Sequence, residues 1–259
     1  MADTARINAV VSDIVEGIRA AMFKHNVTYD EYQIAQSFLL DAFAKKDIPL
    51  LLTTFFNTTI VKIEGKMMGG SKPSLEGPYF IEDSPLIPQD GELAAREQDQ
   101  GRMKALLRGR VTDLDGKPLA GATINIWHST PDGRYSGFHD GIAPHYHRGR
   151  IITDADGRYS VRTIMPTPYQ IPSDGPTGAL LTAMGRHTWR PAHFHYKITA
   201  LGMHTHISQA YFEGGDYVDD DCCEDVCAEH VVAEKTDDGV RIVEVDFVIP
   251  EAVTQALAA

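Results

Sequence analysis

The sequence has few of the features that mark disulfide-stabilised, membrane-spanning or nucleic-acid-binding proteins. It contains only three cysteines in 259 residues, all between Cys222 and Cys227, which excludes a disulfide framework and suits a reducing compartment. The N-terminus shows no basic patch followed by an apolar stretch, and apolar runs such as Ile48 to Leu52 are far too short to cross a membrane. Lysine and arginine number 24 against 36 acidic residues, and a chain with a net charge of −12 and no block of basic residues is a poor candidate for binding a phosphate backbone. We therefore expect a cytoplasmic protein that is not a membrane protein and binds no nucleic acid.

The first hundred residues predict helices. Apolar residues recur at spacings of three and four from Ile7 to Met22, which is typical of an amphipathic helix. The segment Thr28 to Glu31 is a capping-box pattern that begins a second helix, whose apolar face runs from Ile34 to Phe43. Asp47 is expected to cap a third helix, over about Ile48 to Ile63.

From about Met67 to Gly101 the helical pattern gives way to Gly, Pro, Ser and acidic residues. We interpret this segment as a long connection that wraps onto the second half of the chain. No helix is predicted between Gly109 and Ala210, where the apolar period changes to two. The stretch Gly149 to Gly157 repeats the stretch Gly109 to Gly116, so two similar hairpins are expected, as in stacked antiparallel sheets.

The resulting fold class is α+β, with a helical N-terminal part joined to an antiparallel β-sandwich. The boundaries are residues 1–100 for the helical part with its connection and residues 101–259 for the sandwich. Strands are predicted at 107–111, 122–127, 159–164, 193–199, 207–212 and 240–249.

Two histidine pairs are candidates for metal binding. On a strand, residues i and i+2 point to the same side, so His193 and His195 would present two imidazoles to one point. A second pair, His204 and His206, follows after a turn at 201–203, and four histidines on paired strands would suit zinc or copper. Whether the pairs share a face depends on the strand register, and exposed histidines beside a turn are the simpler interpretation of the second pair.

Two tyrosines in stiff turns are further candidates. Tyr135 follows a glycine turn, and Tyr169 lies among prolines that restrict the backbone on both sides. Packing would explain either tyrosine alone. Two phenolates with two neutral imidazoles would instead suit Fe(III), because hard anionic oxygen donors neutralise much of its charge. The residues alone leave three functions open: a ferric enzyme, a zinc hydrolase that uses all four histidines, and a non-catalytic sandwich that binds a metal or a small aromatic molecule.

Several motifs together carry a family resemblance. They are Gly121-Ala122, Ile124 to Trp127, Asp132 to Ser136, Pro168 to Pro172, Gly175 to Gly178, His187 to His195, and Tyr211 to Cys223. With them, the stretch Gly109 to Gln209 resembles the catalytic domain of intradiol ring-cleavage dioxygenases, non-haem Fe(III) enzymes that open catechols between their two hydroxyls. Within the catechol 1,2-dioxygenase branch, the chain is most similar to the chlorocatechol group. Thr53 and the segment His206 to Gln209 depart from that group's pattern, which leaves the preferred catechol open.

The resemblance implies the cofactor and the site residues. Tyr135, Tyr169, His193 and His195 would bind one Fe(III) per subunit, and the Tyr169 phenolate would also accept a proton from the catechol. Arg190 would stabilise negative charge on the substrate, and Gln209 would hydrogen-bond in the same region. The substrate-binding walls would come from Leu50, Thr53, Thr54, Leu75, Pro78 and Tyr79, with Cys223 opposite them.

The resemblance also implies the reaction and the partners. The substrates would be O2 and a catechol, with chlorocatechols ranked before methylcatechol and unsubstituted catechol, and hydroxyquinols third. The products would be cis,cis-muconates. The helical part would form a homodimer and hold a lipid at the interface, although the apolar face from Ile7 to Met22 would equally suit packing inside one subunit. Two simpler expectations concern the acidic loop: Asp219 to Asp221 is taken as a solvated turn, and a metal site built from the cysteines is the weaker alternative.

Overall fold

The computed structural model describes residues 3–252 of the chain. Its N-terminal third is helical, as predicted. The third helical region extends to Met68 rather than Ile63 and is divided by a five-residue π-helical turn, Thr53–Asn57, into the α-helices Ile48–Leu52 and Thr58–Met68. The helices are α1 (Thr4–His25), α2 (Tyr29–Ala44), α3 (Ile48–Leu52), α4 (Thr58–Met68) and α5 (Pro176–Ala183), with short 3-10 turns at Glu97–Asp99 and Ala228–His230.

The two predicted helix caps have opposite outcomes. The capping box at Thr28 is confirmed, because its hydroxyl accepts from the Glu31 N–H and the Glu31 carboxylate accepts from the Thr28 N–H. The prediction for Asp47 is wrong, since its side chain makes no cap bond to α3. Its Oδ2 instead accepts from the N–H and hydroxyl of Thr177, at 2.7 and 2.6 Å. Asp47 therefore caps α5, whose own N-cap residue, Gly175, has no side chain to do so.

Helix α5 also corrects the prediction that no helix lies between Gly109 and Ala210. It begins at Pro176, a favoured first helical position, and has only eight residues. Its apolar residues follow no helical period, so the pattern on which the prediction depended is missing here.

The β part is a sandwich of two sheets. The six-stranded sheet has the order β1-β5-β2-β12-β11, with β13 paired to β2, and the five-stranded sheet has the order β10-β9-β8-β3-β4. The α+β class is confirmed, but four strand pairs are parallel, so the sandwich is mixed rather than wholly antiparallel. The strands are β1 (Gly91–Glu92), β2 (Lys104–Thr112), β3 (Thr123–His128), β4 (Arg148–Ile152), β5 (Arg158–Ile164), β6 (Tyr169–Gln170), β7 (Trp189–Arg190), β8 (Phe194–Thr199), β9 (His206–Phe212), β10 (Val231–Val232), β11 (Thr236–Asp237), β12 (Val240–Glu244) and β13 (Phe247–Val248).

The two repeated turns are present, but they do not close hairpins. Asp113 Oδ1 accepts from the N–H groups of residues 115 and 117, and Asp154 Oδ1 accepts in the same way from those of residues 156 and 158. The flanking strands pair elsewhere, because β2 and β5 belong to one sheet and β3 and β4 to the other. Each repeated turn therefore carries the chain from one sheet to the other, and the prediction of two hairpins is wrong.

Alternation along the strands separates a core face from a second face in the five-stranded sheet. Phe194 and Ala210 are paired residues of β8 and β9 that point into the core between the sheets. Their neighbours His195 and Gln209 are also paired, so they share the opposite face. Trp127 lies opposite His195 on β3 and continues that face.

The long connection covers this sandwich, as expected. Strand β1 pairs with β5, Leu86 forms an isolated bridge with Arg150, and Leu93 is buried in the core. By contrast, α1 buries none of its residues, and Ile14 and Ile18 are 56% and 53% exposed. Over the part of the chain that the structure describes, no helix is both long and apolar enough to cross a bilayer.

Candidate metal centre

Three of the four proposed ligand side chains converge on one point of the second face. The Nε2 atoms of His193 and His195 are 3.0 Å apart, and the Tyr135 hydroxyl is 3.3 Å from His195 Nε2. His193 precedes β8 and His195 is its second residue, so the i, i+2 geometry places both imidazoles on one side. The ring of His195 stacks on Trp127 with centroids 4.6 Å apart, which fixes its plane.

The protonation state of His193 follows from its hydrogen bond. Its Nδ1 lies 2.7 Å from the carbonyl of Pro191, and because a carbonyl only accepts, Nδ1 carries the proton. The Nε2 atom that faces His195 therefore has a free lone pair. Burial and the nearby Arg190 charge lower the pKa of His193 to about 3, so the imidazole is neutral at pH 7. A neutral imidazole with an inward lone pair is the form that binds metals.

The fourth candidate ligand, Tyr169, completes the cluster. Its ring lies 5.1 Å from that of Tyr135 and 5.6 Å from that of His193. Burial raises the pKa of both phenols. The neighbouring Tyr169 raises the pKa of Tyr135 further, whereas the Arg190 charge offsets part of the rise for Tyr169. Without a cation between them these phenols keep their protons. Two adjacent buried phenols beside two inward-facing imidazoles fit a hard trivalent cation, which would supply the charge that favours the phenolates.

The second histidine pair does not join this cluster. Strands β8 and β9 form a hairpin, as the turn at 201–203 indicated, and its register pairs His206 with Ile198. Ile198 points into the core, so His206 does too and contacts Phe247 at 5.9 Å between ring centroids. His206 therefore lies on the opposite face from His193 and His195, and the four-histidine zinc site is not formed.

Arg190 and Gln209 lie beside the cluster in a buried polar network. Arg190 is not on the strand of the histidines but on the two-residue strand β7, where it pairs with Tyr169. Its Nη2 donates to Tyr211 Oη at 2.6 Å and to Gln209 Oε1 at 3.2 Å. The Gln209 amide in turn donates to the carbonyl of Leu75 at 2.5 Å.

The acidic loop that was expected to be solvated contributes to the same network. Asp219 and Asp220 are exposed, but Asp221 is buried and accepts from Nε and Nη2 of Arg190 at 3.2 and 3.1 Å. Burial opposes ionisation of Asp221, yet the Arg190 charge outweighs it and lowers the pKa. Asp225, four residues further on, is buried as well and lies 3.4 Å from Arg190 Nη2. The prediction of a solvated turn is therefore wrong for Asp221.

The cysteines lie next to these acids. The sulfur atoms of Cys222 and Cys223 are 3.8 Å apart, and together with the Asp221 carboxylate they are close enough to hold an ion. The carboxylate is already engaged by Arg190. Both sulfurs pack into an apolar cluster with Leu75 and the partly buried Leu50, which suits a packing role.

A cavity of about 730 Å³ opens between the helical part and the connection. Of the predicted wall residues, Leu50, Thr53, Leu75 and Pro78 line it. Gly77, also in its lining, has φ +72°, and a Cβ there would lie 3.4 Å from the His195 ring. The cavity wall thus abuts the histidine cluster, although the four candidate ligands are not among the lining residues.

The remaining predicted wall residues lie around this cavity. Thr54 is buried, and its hydroxyl donates to the Leu50 carbonyl. Cys223 packs in the same buried apolar cluster as Leu75. Tyr79 stacks on Tyr135 with centroids 4.2 Å apart, so it belongs to the cluster of aromatic rings rather than to the cavity wall.

Several residues of the site escaped the sequence analysis. Arg148 is fully buried and donates to Ser136, next to Tyr135, and to the carbonyl of Tyr79. The Tyr211 hydroxyl accepts from Arg190, and the Asp225 carboxylate contacts both side chains. The alternation that put Gln209 on the second face of β9 also puts Tyr211 there. Arg148 and Asp225 had no comparable signal.

A family model described as "Dioxygenase" matches residues 75–250. A chlorocatechol 1,2-dioxygenase of Pseudomonas sp. (strain P51) is 44% identical over 247 residues, covering 95% of this chain and 97% of the relative. One from Cupriavidus pinatubonensis is 42% identical over 251 residues, with 97% of each covered. The crystal structure of chlorocatechol 1,2-dioxygenase from Pseudomonas putida matches with a TM-score of 0.89 and 43% identity, covering 96% of this chain and 100% of that one. Together with the fold, these similarities mean that the chain belongs to the intradiol ring-cleavage dioxygenase family, in its catechol 1,2-dioxygenase branch.

Proposed function

We propose that this protein is a chlorocatechol 1,2-dioxygenase, which uses O2 to cleave chlorocatechols between their hydroxyl-bearing carbons and yields cis,cis-muconates. The observation that carries the proposal is the convergence of Tyr135, His193 and His195 beside Tyr169. The relatives that match nearly the whole chain at 42–44% identity carry the same name. The function is degradation of aromatic, and especially chloroaromatic, compounds.

The cofactor in this proposal is one Fe(III) per subunit, held by Tyr135, Tyr169, His193 and His195. When bound, the ferric ion supplies a Lewis acid that favours the catechol dianion and makes it reactive towards O2. The chain's contribution is a donor set that is buried and already oriented. The 3.0 Å separation of the two Nε2 atoms and the Trp127 stack on His195 support this role.

Tyr169 has a second role in the proposal, as the proton acceptor for the substrate. Its phenolate oxygen would take a proton from one catechol hydroxyl and become a phenol. Burial raises the pKa of Tyr169, which makes its phenolate a strong base once it is formed. Arg190 lies next to it by strand pairing and would stabilise the negative charge left on the substrate.

The substrate ring would enter through the 730 Å³ cavity. Leu50 and Leu75 offer apolar contacts to a ring or a chlorine atom, with Cys223 packed behind them. Thr53 and Ile207, which are among the positions that depart from the chlorocatechol pattern, both line this cavity, so the preference is a matter for measurement. The name shared by the relatives and the apolar contacts from Leu50 and Leu75 support ranking chlorocatechols first, methylcatechol and catechol next, and hydroxyquinols third.

The test is oxygen uptake by the iron-loaded protein with each catechol, followed by identification of the product. The expected result is one O2 consumed per muconate formed, with the highest kcat/KM for a chlorocatechol. Changing His193 and His195 to alanine should abolish both iron and uptake. The matched pair His204 and His206 should be replaceable by asparagine without loss of the metal. No uptake with any catechol would contradict the proposal and favour a binding module, and metal loss in the second variant would favour a hydrolase-like site.

We also propose a homodimer formed through the helical part, with a lipid at the interface. The exposed apolar side chains of α1 and α2, such as Ile14, Ile34 and Phe43, support this arrangement because they have no cover within the described residues. The division into residues 1–100 and 101–259, whose outermost positions lie outside the described residues, belongs to the same proposal. Sedimentation of the purified protein tests the dimer, and extraction with organic solvent followed by mass spectrometry tests the lipid.

A further inference from the structure

We propose that Asp225 is a positioning residue that connects the wall of the substrate cavity to Arg190. The proposal rests on the proposed function and adds a specificity role to it. Through Asp225, the position of Arg190 would depend on how the substituents of the catechol ring contact the cavity wall.

One oxygen of Asp225 receives all the side-chain contacts of this residue among the described residues. On the cavity side, Oδ2 accepts from the Ser74 hydroxyl at 2.5 Å and from the Leu75 N–H at 3.2 Å. On the catalytic side, the same atom lies 3.4 Å from Arg190 Nη2 and 3.3 Å from the Tyr211 hydroxyl. Ser74 and Leu75 line the cavity, so a single atom joins its wall to the guanidinium.

The wall has a second link to the same network. The carbonyl of Leu75 accepts from the Gln209 amide, and the other end of that amide, Oε1, accepts from Arg190 and from Tyr211. A shift of the Leu75 backbone would therefore move both the Gln209 amide and the Arg190 guanidinium. Because all of these residues are buried, the shift is not relaxed by solvent.

Charge balance indicates that Asp225 is not needed to pair Arg190. Asp221 already engages the guanidinium through two atoms, at 3.2 and 3.1 Å. A second buried carboxylate beside one cation adds a desolvation penalty. The hydrogen bonds that Asp225 accepts from the Ser74 hydroxyl and the Leu75 N–H offset that penalty.

The experiment compares Asp225→Asn with Ser74→Ala, which removes one of the two wall-side contacts and leaves the Leu75 N–H bond. The control is Asp219→Asn, in the exposed part of the same loop. The measurements are kcat/KM for chlorocatechol and catechol, and the affinity for each under anaerobic conditions from the visible spectrum. In Asp225→Asn the preference for chlorocatechol over catechol should fall about tenfold, the scale of one hydrogen bond to a charged group. The iron content and resting visible band should stay as in the unchanged protein, and Ser74→Ala should shift the preference in the same direction.

A double-mutant cycle gives a readout without activity. Unfolding of the purified, iron-loaded protein in urea should show non-additive effects of Ser74→Ala and Asp225→Asn, because both changes act on the Ser74–Asp225 bond. Equal losses for both catechols, an unchanged preference, or additive effects would overturn the inference. If Asp225→Asn does not fold, an unchanged preference in Ser74→Ala alone overturns it. An unchanged protein that cleaves no catechol would instead refute the proposed function, while the cycle would still test the Ser74–Asp225 link.

Discussion

Arg148 offers a test of how the chain holds Tyr135, a proposed iron ligand. It is fully buried, and no carboxylate among the described residues pairs with it. Its Nε and Nη2 donate to the hydroxyl and carbonyl of Ser136, both at 2.8 Å, and Nη1 donates to the carbonyl of Tyr79 at 2.9 Å. Burial lowers its pKa to about 10, so the guanidinium is still charged at pH 7. It therefore holds Ser136, the neighbour of Tyr135, and the backbone of Tyr79, whose ring stacks on Tyr135.

Replacing this residue should both destabilise the protein and disturb the ligand. Arg148→Met leaves the carbonyl and hydroxyl of Ser136, both buried, and the half-buried carbonyl of Tyr79 without this donor. Each loss of a donor to a buried group costs about 1–3 kcal/mol. Relief of the buried charge offsets part of this, which leaves a net loss of about 3 kcal/mol. For a chain of this size the melting temperature should fall by about 6–12 °C. The Tyr135 phenolate should also move, so the visible band of the ferric protein should shift.

The assay is thermal and urea unfolding together with the visible spectrum of the iron-loaded protein. Arg158→Met, an exposed arginine at the start of β5, is the control and should stay within about 0.5 kcal/mol of the unchanged protein. Arg148→Lys should be intermediate, because it keeps the charge but loses the fork of donors. If Arg148→Met matched the control in both stability and colour, the clamp on Tyr135 would be refuted.

Three further changes test other parts of the structure. Tyr169→Phe should keep some iron, shift the visible band and lower kcat by about 10²–10⁴-fold, as expected for loss of a proton acceptor, measured by oxygen uptake. Asp47→Ala should destabilise the protein by about 1–2 kcal/mol in urea unfolding, since α5 loses the acceptor that bonds Thr177. His206 has its pKa lowered from 6.5 to about 4 by burial and by His230, so it should contribute about 3 kcal/mol that is present above pH 6.5 and lost as the pH falls to 4. His206→Gln should flatten that part of the stability profile.

Each of these has an outcome that contradicts it. An unchanged band and rate in Tyr169→Phe would remove Tyr169 from the ligand set. Asp41, an exposed acid of α2, provides the control for Asp47. If Asp47→Ala were as stable to urea as Asp41→Ala, the cap on α5 would contribute nothing to stability. A His206→Gln protein as acid-sensitive as the unchanged one would show that other groups account for the loss.

The sequence predicted most of what depends on local periodicity. The amphipathic helices, the box at Thr28 and the principal strands follow from patterns within a few residues of each other. The i, i+2 spacing of His193 and His195 predicted their shared side. For the tyrosines, residue type suggested a ligand role and the family resemblance supplied the assignment.

The failures have a common physical origin in contacts between distant segments. Asp47 has a cap-like sequence context but bonds Thr177 instead, 130 residues away. The Asp113 and Asp154 turns are locally the same as hairpin turns, yet strand pairing is decided by which partners lie further along the chain. In the sequence, Asp221 belongs to an acidic run that is typical of an exposed turn, but in the fold it is buried and accepts from Arg190. In each case the local signal was present and a long-range partner determined its use.

The central claim is that Tyr135, Tyr169, His193 and His195 hold one ferric ion. The most direct test measures metal content and the visible and resonance Raman spectra of the purified protein together with its activity on chlorocatechol. We expect about one iron per chain, a wine-red colour from phenolate-to-iron charge transfer, and loss of one phenolate signal in each of the two Tyr→Phe variants. A colourless, zinc-loaded protein that cleaves chlorocatechol at the full rate would contradict it.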